Sequence, residues 1–241
     1  MRPTTVQVCL NGGRSVSDHP AVPITAGQLV EAVVAVAELG VTAVHVHPRD
    51  ATGSETLVGS ELAGTVAAVR AAAPGVAIGV TTGAWIEPDP VRRVAHVRQW
   101  VALAAGKPDF ASVNVHEPGW LEVCAALHAV GIGTELGVFH TAAAATLRAA
   151  GVPAGAVRVL AEVQVTDPIT AVVEAAALVG ALDWATTPIL LHGEGPAAWP
   201  VLEHARRHAL LTRIGLEDTL DLPDGTRAPD NTALVRAAAT R

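Results

Sequence analysis

The stretch Ala-Val-His-Val-His-Pro-Arg-Asp, residues 43–50, decides how this sequence is interpreted. Its apolar, β-branched residues predict a strand, and Pro48, which cannot donate to a sheet ladder, predicts the start of a loop. Side chains alternate between the faces of a strand, so His45 and His47 are expected on one face, about 6–7 Å apart. Two imidazoles at that spacing can share a metal ion, although the same pattern also occurs where histidines only pack. The best candidate for a third ligand lies far downstream, in Arg-Ile-Gly-Leu-Glu-Asp at residues 213–218.

Strand-like and helix-like segments alternate along the whole sequence. Strands are predicted at residues 5–11, 41–47, 76–82, 109–115, 133–138, 156–164, 187–191 and 210–216. Helices are predicted at residues 25–39, 60–73, 90–105, 118–130, 141–150, 168–182, 196–208 and 230–239. The first helix has a capping-box pattern, with Thr25 followed three residues later by Gln28.

This alternation implies a parallel sheet with right-handed crossovers. Eight strand–helix units in 241 residues fit an α/β fold of the (β/α)8 TIM-barrel type, compact and with short loops. We therefore predict a single barrel domain over residues 1–241. A doubly wound open sheet is the alternative, but the first strand is not followed by a Gly-x-Gly-x-x-Gly motif.

Composition and charge exclude several classes of protein. Half of the residues are hydrophobic, 16% are charged and the formal net charge is −7, which argues against nucleic-acid and anionic-membrane partners. Charges interrupt every apolar segment before the ~18 residues that a membrane span needs, and the N-terminus lacks the pattern of a signal peptide. Cys9 and Cys124 do not form a disulfide framework. We expect a cytoplasmic protein.

In a barrel of this type, functional side chains gather at the C-terminal ends of the strands. His45 and His47 end the second predicted strand, and Glu217 and Asp218 follow the eighth. Both strands neighbour the first one, so barrel closure brings these ends to roughly 10 Å from each other. Two histidines and one carboxylate leave coordination positions open, as in catalytic zinc sites, and the same set also serves non-haem iron.

Other strand ends carry polar groups that can bind a substrate or simply be solvated. Arg14 follows the first strand and can bind an acidic group through its planar guanidinium. Asn114 ends the fourth strand, where it can hydrogen-bond a substrate. Glu135 and Glu162 lie within strands, and a buried carboxylate there needs a partner. The remaining candidates end the third and seventh strands: Thr81, Thr82 and Gly83, and the sequence His-Gly-Glu-Gly at 192–195.

The sequence resembles the β-keto acid cleavage enzymes, the family typified by 3-keto-5-aminohexanoate cleavage enzyme. The matching segments occur in family order: Leu-Asn-Gly-Gly at 10–13, Pro-Ile-Thr at 23–25, His-Val-His-Pro-Arg-Asp at 45–50, Thr-Thr-Gly at 81–83, Ala-Ser-Val-Asn at 111–114, Arg-Ile-Gly-Leu-Glu-Asp at 213–218 and Asn-Thr-Ala-Leu-Val at 231–235.

This resemblance implies a zinc-bearing barrel that condenses a β-keto acid with acetyl-CoA, giving acetoacetate and a new acyl-CoA. By position, the family's zinc ligands match His45, His47 and Glu217. Arg213 and Asp218 resemble the pair that activates the keto acid. Thr81 matches a contact to the substrate carboxylate, and Asn114 matches a polar contact. Members of the family usually form homo-oligomers, and Mn²⁺ or Fe²⁺ are the alternatives to Zn²⁺.

The sequence departs from the family pattern at two points. Arg14 stands where the typical enzyme has a glutamate that meets an amino substrate, so an anionic or neutral substrate is expected. The chain is also shorter than typical members, which leaves its approach to CoA open. Two other functions therefore remain: a CoA-independent, metal-dependent lyase or hydrolase, and a non-catalytic metal-binding barrel.

Overall fold

The structure, a computed structural model, describes residues 6–240, and within that range parallel strands alternate with helices. The strands are β1 (Val6–Cys9), β2 (Ala43–Val46), β3 (Ala77–Thr81), β4 (Phe110–Asn114), β5 (Gly133–Val138), β6 (Ala156–Val163), β7 (Ile189–Gly193) and β8 (Thr212–Ile214). The helices are α1 (Ala26–Ala37), α2 (Gly59–Ala72), α3 (Pro90–Gln99), α4 (Trp120–Ala129), α5 (Thr141–Ala150), α6 (Pro168–Ala181), α7 (Ala198–Arg207) and α8 (Asn231–Ala239).

The strands form a nearly closed barrel. Their order is β7-β6-β5-β4-β3-β2-β1-β8, and every paired strand is parallel to its neighbour. Leu211, just before β8, closes the ring: its N–H donates to Ile189 O at 3.1 Å and its carbonyl accepts from Leu191 N–H at 2.9 Å. The predicted (β/α)8 TIM barrel is therefore confirmed, and the open-sheet alternative is wrong.

Alternation along the strands separates two environments. Val8, Val44, Ile78 and Leu136 are among the fully buried strand residues that belong to the hydrophobic core, and their side chains point outward, to the layer between strands and helices. The alternate positions point into the barrel and carry mostly polar residues, such as His45, which is paired in register with Cys9 and Gly79. The strands thereby place polar side chains in the barrel interior and apolar side chains in the layer between the strands and the helices.

The helices follow the predicted pattern, with one clear exception. The Thr25–Gln28 capping box at the start of α1 is present, as predicted. The helix predicted over residues 90–105 ends at Gln99 and continues as two short 3-10 turns. At this point the Trp100 ring is fully buried, and its Nε1–H donates to Leu57 O at 3.1 Å. Ala104, with φ of 47°, prevents a return to regular helix.

Several strand ends differ from the prediction by a few residues. β8 is shorter than residues 210–216 because Gly215 packs directly on β1: a Cβ there would lie 1.9 Å from Cys9 O. β7 runs on to Gly193, so His192 belongs to the strand rather than to the loop. The start of the strand predicted at 5–11 lies partly outside the described residues. No helix in the range 6–240 is both long and apolar enough to cross a membrane.

Candidate active site

A cavity of about 410 Å³ opens at the C-terminal ends of the strands. Side chains from most strands of the barrel line it, so the barrel itself brings together residues that are far apart in the sequence. Its polar lining residues include Arg14, His45, His47, Thr81, Asn114, Glu162, Glu194, Arg213 and Glu217.

Three of these residues form a compact cluster. The Nε2 atoms of His45 and His47 lie 3.1 Å apart, and His47 Nε2 lies 3.8 Å from Glu217 Oε2. One ligand atom from each of the three residues lies within 4.8 Å of the others. Two atoms bound tetrahedrally to one ion at about 2.1 Å would be roughly 3.4 Å apart. The observed separations bracket that value, and Glu217 Oε2 is a buried oxygen with no hydrogen-bond partner among the described residues. The donor set therefore fits a divalent metal ion.

Two asparagines position this cluster. The Asn11 side chain accepts the His47 N–H and donates to the His47 carbonyl oxygen, both at 2.9 Å. Asn231 accepts the Leu216 N–H at 2.8 Å and donates to Leu10 O at 3.0 Å. The first pair of bonds joins the end of β1 to the end of β2, and the second joins β1 to the segment after β8. Sequence reasoning assigned neither asparagine a role, although each lies in one of the matching family segments.

His45 is buried inside the barrel, with 2% of its surface exposed. Burial lowers the pKa of His45 well below its ordinary value, and the nearby His47 and Arg213 lower it further. Its Nδ1 lies 3.9 Å from an oxygen of Glu135, a carboxylate that is itself bonded to Arg158 and Gln7. The imidazole is therefore neutral, which is the form that binds a metal.

His47 lies nearer the mouth of the cavity. Its Nδ1 is hydrogen-bonded to one carboxylate oxygen of Glu55. The other oxygen of that carboxylate accepts the indole N–H of Trp85 at 3.2 Å. Burial raises the pKa of Glu55, but the contact with His47 more than offsets this and holds it below the ordinary value. Nothing in the sequence around Glu55 or Trp85 indicated either contact.

Arg213 connects the cluster to Asp218. Its Nε donates to Asp218 Oδ1 at 2.9 Å and one terminal nitrogen donates to Glu217 Oε1 at 3.0 Å. Asp218 is fully buried, its Oδ2 has no hydrogen-bond partner among the described residues, and it is not among the residues that line the cavity. Arg213 therefore lies between the Asp218 carboxylate and the cavity.

The predicted substrate-binding residues divide into two groups. Arg14, Thr81 and Asn114 line the cavity. Thr82 and Gly83 are not among the lining residues. The Thr82 hydroxyl donates to Ser112 O at 2.6 Å, and a Cβ at Gly83 would lie 2.2 Å from the ring of Trp85. These two residues shape the strand end instead, because their free groups are already engaged by neighbours.

A second cluster of ionisable groups lies on β6 and β7. His192 Nε2 is 3.2 Å from Glu162 Oε2, and His192 Nδ1 is 3.4 Å from Asp218 Oδ1. Burial and Arg213 lower the pKa of His192, but the two carboxylates outweigh them and raise it to about 9. Burial also raises the pKa of Glu162, yet the contact with His192 brings it down to about 2. Burial and the adjacent Glu162 raise the pKa of Glu194 to about 7.

Comparison with known proteins supplies independent information. A family model described as beta-keto acid cleavage enzyme matches residues 3–241. A relative, the 3-oxoadipate:acetyl-CoA acetyltransferase of Cupriavidus necator, is 30% identical over 113 residues, which is 46% of this chain and 37% of that protein.

Solved structures share the fold at low identity. ObcA in its binary complex with oxaloacetate superposes with a TM-score of 0.70 at 18% identity, covering 92% of this chain and 63% of that one. Type I 3-dehydroquinate dehydratase from Clostridium difficile superposes with a TM-score of 0.65 at 7% identity, covering 98% and 89%. The chain thus spans less than two thirds of both ObcA and the acetyltransferase.

Proposed function

Since the chain belongs to the β-keto acid cleavage enzyme family, we propose that it condenses a β-keto acid with acetyl-CoA, in a single barrel domain. The products are acetoacetate and a new acyl-CoA. The observation that carries the proposal is one cavity that contains both the His45, His47 and Glu217 cluster and the Arg213 guanidinium, which is bonded to Asp218.

The three clustered residues would hold a divalent metal, for which we propose Zn²⁺, with Mn²⁺ or Fe²⁺ as alternatives. Zinc accepts two imidazole nitrogens and one carboxylate oxygen and keeps a position open for substrate. A bound ion would act as a Lewis acid toward the keto oxygen of the substrate.

Asp218 is the proposed base that removes a proton from the carbon between the two carbonyl groups. Its Oδ2 has no hydrogen-bond partner among the described residues, so a lone pair is available. Arg213 orients the carboxylate through the 2.9 Å bond to Oδ1. Because Asp218 is buried behind Arg213, the guanidinium must turn toward the substrate carboxylate before the proton is transferred. The resulting carbanion then attacks the thioester carbonyl of acetyl-CoA and expels CoA as its thiolate. The thiolate attacks the original keto carbonyl, and the carbon–carbon bond beside it breaks to give the new acyl-CoA and the acetoacetate carbanion, which takes the proton back from Asp218.

Three cavity residues are proposed to bind the keto acid. Thr81 already accepts the Gly83 N–H at 3.1 Å, so its own hydroxyl hydrogen can be donated to a carboxylate. Asn114 donates one amide hydrogen to Glu117 at 2.8 Å and keeps the second for substrate. The Nε of Arg14 donates to Glu217 O at 3.1 Å, which anchors the guanidinium at the cavity. A cation there favours a substrate with a second anionic group, and 3-oxoadipate, named for the acetyltransferase relative, is such a compound.

The activity is tested by incubating the metal-loaded protein with acetyl-CoA and a panel of β-keto acids that includes dicarboxylic ones. We expect acetoacetate and a new acyl-CoA in equal amounts, detected by mass spectrometry, with the dicarboxylic acids used best. Asp218→Asn should lower turnover by about 10²–10⁴-fold without loss of folding. Turnover of a keto acid without CoA would instead support the lyase or hydrolase alternative, and no turnover across the panel would contradict the proposal.

The metal centre has its own test. His45→Ala and Glu217→Ala should each lose most of the bound metal, measured by elemental analysis, while the circular dichroism spectrum is unchanged. His208→Ala, a substitution at an exposed histidine of α7's C-cap, is the matched control and should keep the metal. A full protein-ligand shell around the ion, with no exchangeable position, would support the non-catalytic barrel.

We also propose that the protein is a cytoplasmic homo-oligomer. Ile169 and Val173 lie one turn apart on α6 and are 81% and 65% exposed, and they form an apolar surface that a second copy of the chain would cover. Light scattering of the purified protein tests whether it forms a homo-oligomer, and a monomeric mass would contradict that part of the proposal.

For the compartment, the two cysteines are the relevant residues: Cys9 and Cys124 are both buried and free, which suits a reducing compartment.

A further inference from the structure

We infer that Glu55 is the positioning residue that makes His47 a metal ligand, and that Trp85 holds Glu55 in place. The inference rests on the metal centre of the proposed function and assigns roles to two residues outside the three ligands.

The contact between Glu55 and His47 is direct. A carboxylate oxygen of Glu55 accepts the hydrogen bond of His47 Nδ1, and the side chain is only 15% exposed. When Nδ1 carries the hydrogen, the lone pair of the neutral ring is on Nε2. That atom is the one that lies 3.1 Å from His45 Nε2 and 3.8 Å from Glu217 Oε2. The bond to Glu55 therefore selects the tautomer that the cluster requires.

Trp85 restrains the same carboxylate from the cavity mouth. Its Nε1 atom lies 3.3 Å and 3.2 Å from the two carboxylate oxygens of Glu55. Its ring is stacked on His47, with the centroids 6.3 Å apart and the planes inclined by 19°. Although Trp85 is 57% exposed, the lack of a side chain at Gly83 lets its ring lie close to the strand end.

The backbone around Glu55 is held as firmly as its side chain. Glu55 forms an antiparallel bridge with Arg49, and the next residue, Thr56, donates its N–H to Pro48 O at 3.1 Å. The Arg49 guanidinium donates to Gly12 O at 2.9 Å and to Gly53 O at 3.0 Å. The loop after His47 is thereby folded back on itself, and this fold brings the Glu55 side chain to the imidazole ring of His47, eight residues earlier in the sequence.

His45, the other proposed histidine ligand, has no comparably close carboxylate among residues 6–240. Glu135 lies 3.9 Å from His45 Nδ1, beyond hydrogen-bond distance. Loss of an outer carboxylate from a metal-bound histidine typically weakens metal binding by about 10–100-fold. We therefore expect Glu55 to have an effect of that size through His47.

The first experiment measures Zn²⁺ affinity by competition with a chromophoric chelator. Glu55→Ala should bind zinc about 10–100-fold more weakly than the wild type, and Trp85→Phe, which keeps an aromatic ring but removes the N–H, only a few-fold more weakly. Glu55→Gln retains an oxygen acceptor and should recover part of the loss. Glu87→Gln is the matched control, because Glu87 is 14% exposed and also engaged in an ion pair.

The second experiment needs no metal. Side-chain ¹⁵N NMR of the metal-free protein, with the His47 signals assigned from their loss in His47→Gln, should show the Nδ1–H tautomer in the wild type. Glu55→Ala should shift these signals toward a mixture of tautomers, whereas Glu87→Gln should leave them unchanged. A merely structural role for Glu55 would not alter the tautomer.

The outcomes separate the two proposals. Zinc binding that is equal in the wild type and Glu55→Ala would overturn the role of Glu55 and leave the metal centre intact. If the wild type binds no divalent metal, the metal centre of the proposed function is wrong, and the role of Glu55 as a ligand-positioning residue is wrong with it. An Nε2–H tautomer at His47 in the wild type would overturn the inference by itself.

Discussion

His45 and His192 are equally buried, with 2% and 1% of their surfaces exposed, yet their pKa values move in opposite directions. Burial lowers the pKa of His45, and no carboxylate in the described part of the chain lies close enough to reverse that effect. His192 is bracketed by Glu162 at 3.2 Å and Asp218 at 3.4 Å, and these carboxylates raise its pKa to about 9. Burial alone therefore does not decide the charge of a histidine. The distance to the nearest carboxylates does.

The difference between the pKa values of His45 and His192 indicates that the two sides of the cavity have different roles. A neutral imidazole has a free lone pair and can bind a metal, whereas an imidazolium cannot. His192, whose pKa of about 9 favours the charged form, lies between two buried carboxylates, one of which is the proposed base, Asp218. The β2 side of the barrel is thus suited to binding a metal. On the β6–β7 side, the positive charge of His192 offsets negative charge on the buried carboxylates next to it.

The largest effect is expected where the charged histidine is removed. His192→Gln leaves Glu162 and Asp218 without their shared cation and should lower the free energy of unfolding by about 3–5 kcal/mol. Because the folded-state pKa of about 9 exceeds the ordinary 6.5, this stability is fully present below pH 6.5 and is lost as the pH rises through 9. Urea unfolding of the wild type and of His192→Gln, at pH 6.5 and again above pH 9, measures the difference in their free energies of unfolding at each pH.

His208→Gln, at an exposed histidine, is the control for that experiment and should change stability by less than about 0.5 kcal/mol. A loss in His192→Gln that is the same at both pH values would mean that His192 is neutral. The contrast with His45 would then disappear.

A smaller effect is expected on the metal side. Gly12 has φ of 53°, and a Cβ there would lie 2.5 Å from Glu217 Cγ, so Gly12→Ala must displace the Glu217 side chain. We expect zinc binding to weaken roughly tenfold or more, measured by chelator competition. Gly75→Ala is the matched control, because Gly75 also has positive φ, 95°, but has open space around it. Both variants should lose about 1 kcal/mol of stability from backbone strain, and equal zinc affinity in both would contradict the prediction.

The smallest effect concerns Glu194, on the charged side of the cavity. Its pKa of about 7 means that it gains a negative charge as the pH rises through neutrality, because burial and Glu162 oppose ionisation at lower pH. The KM for an anionic β-keto acid should therefore rise by roughly tenfold across this titration. Glu194→Gln should abolish that dependence, while Glu122→Gln, at an exposed position on α4, should retain it. A KM that varies with pH equally in all three proteins would exclude Glu194 as the cause.

The candidate site was predictable in part. Residues 43–50 and 213–218 indicated that His45, His47 and Glu217 could meet, because both segments end strands that flank β1. The structure places them in one cluster. The same reasoning expected Thr82 and Gly83 at the cavity, but their hydrogen bond and close packing place them outside it. It identified Glu135 and Glu162 as carboxylates that need a partner or face the site, and Glu162 lines the cavity.

The sequence by itself determined the barrel and the order of its strands, because the periodicity of apolar residues and the turn residues are local signals that repeat through the chain. Only the tertiary structure decided which polar groups touch: Glu55 with His47, His192 with Asp218, and Arg213 between Asp218 and the cavity. Those contacts depend on the curvature of the closed barrel and on how its loops fold back. Electrostatic energies change steeply over the few ångströms involved, and sequence spacing does not specify distances on that scale.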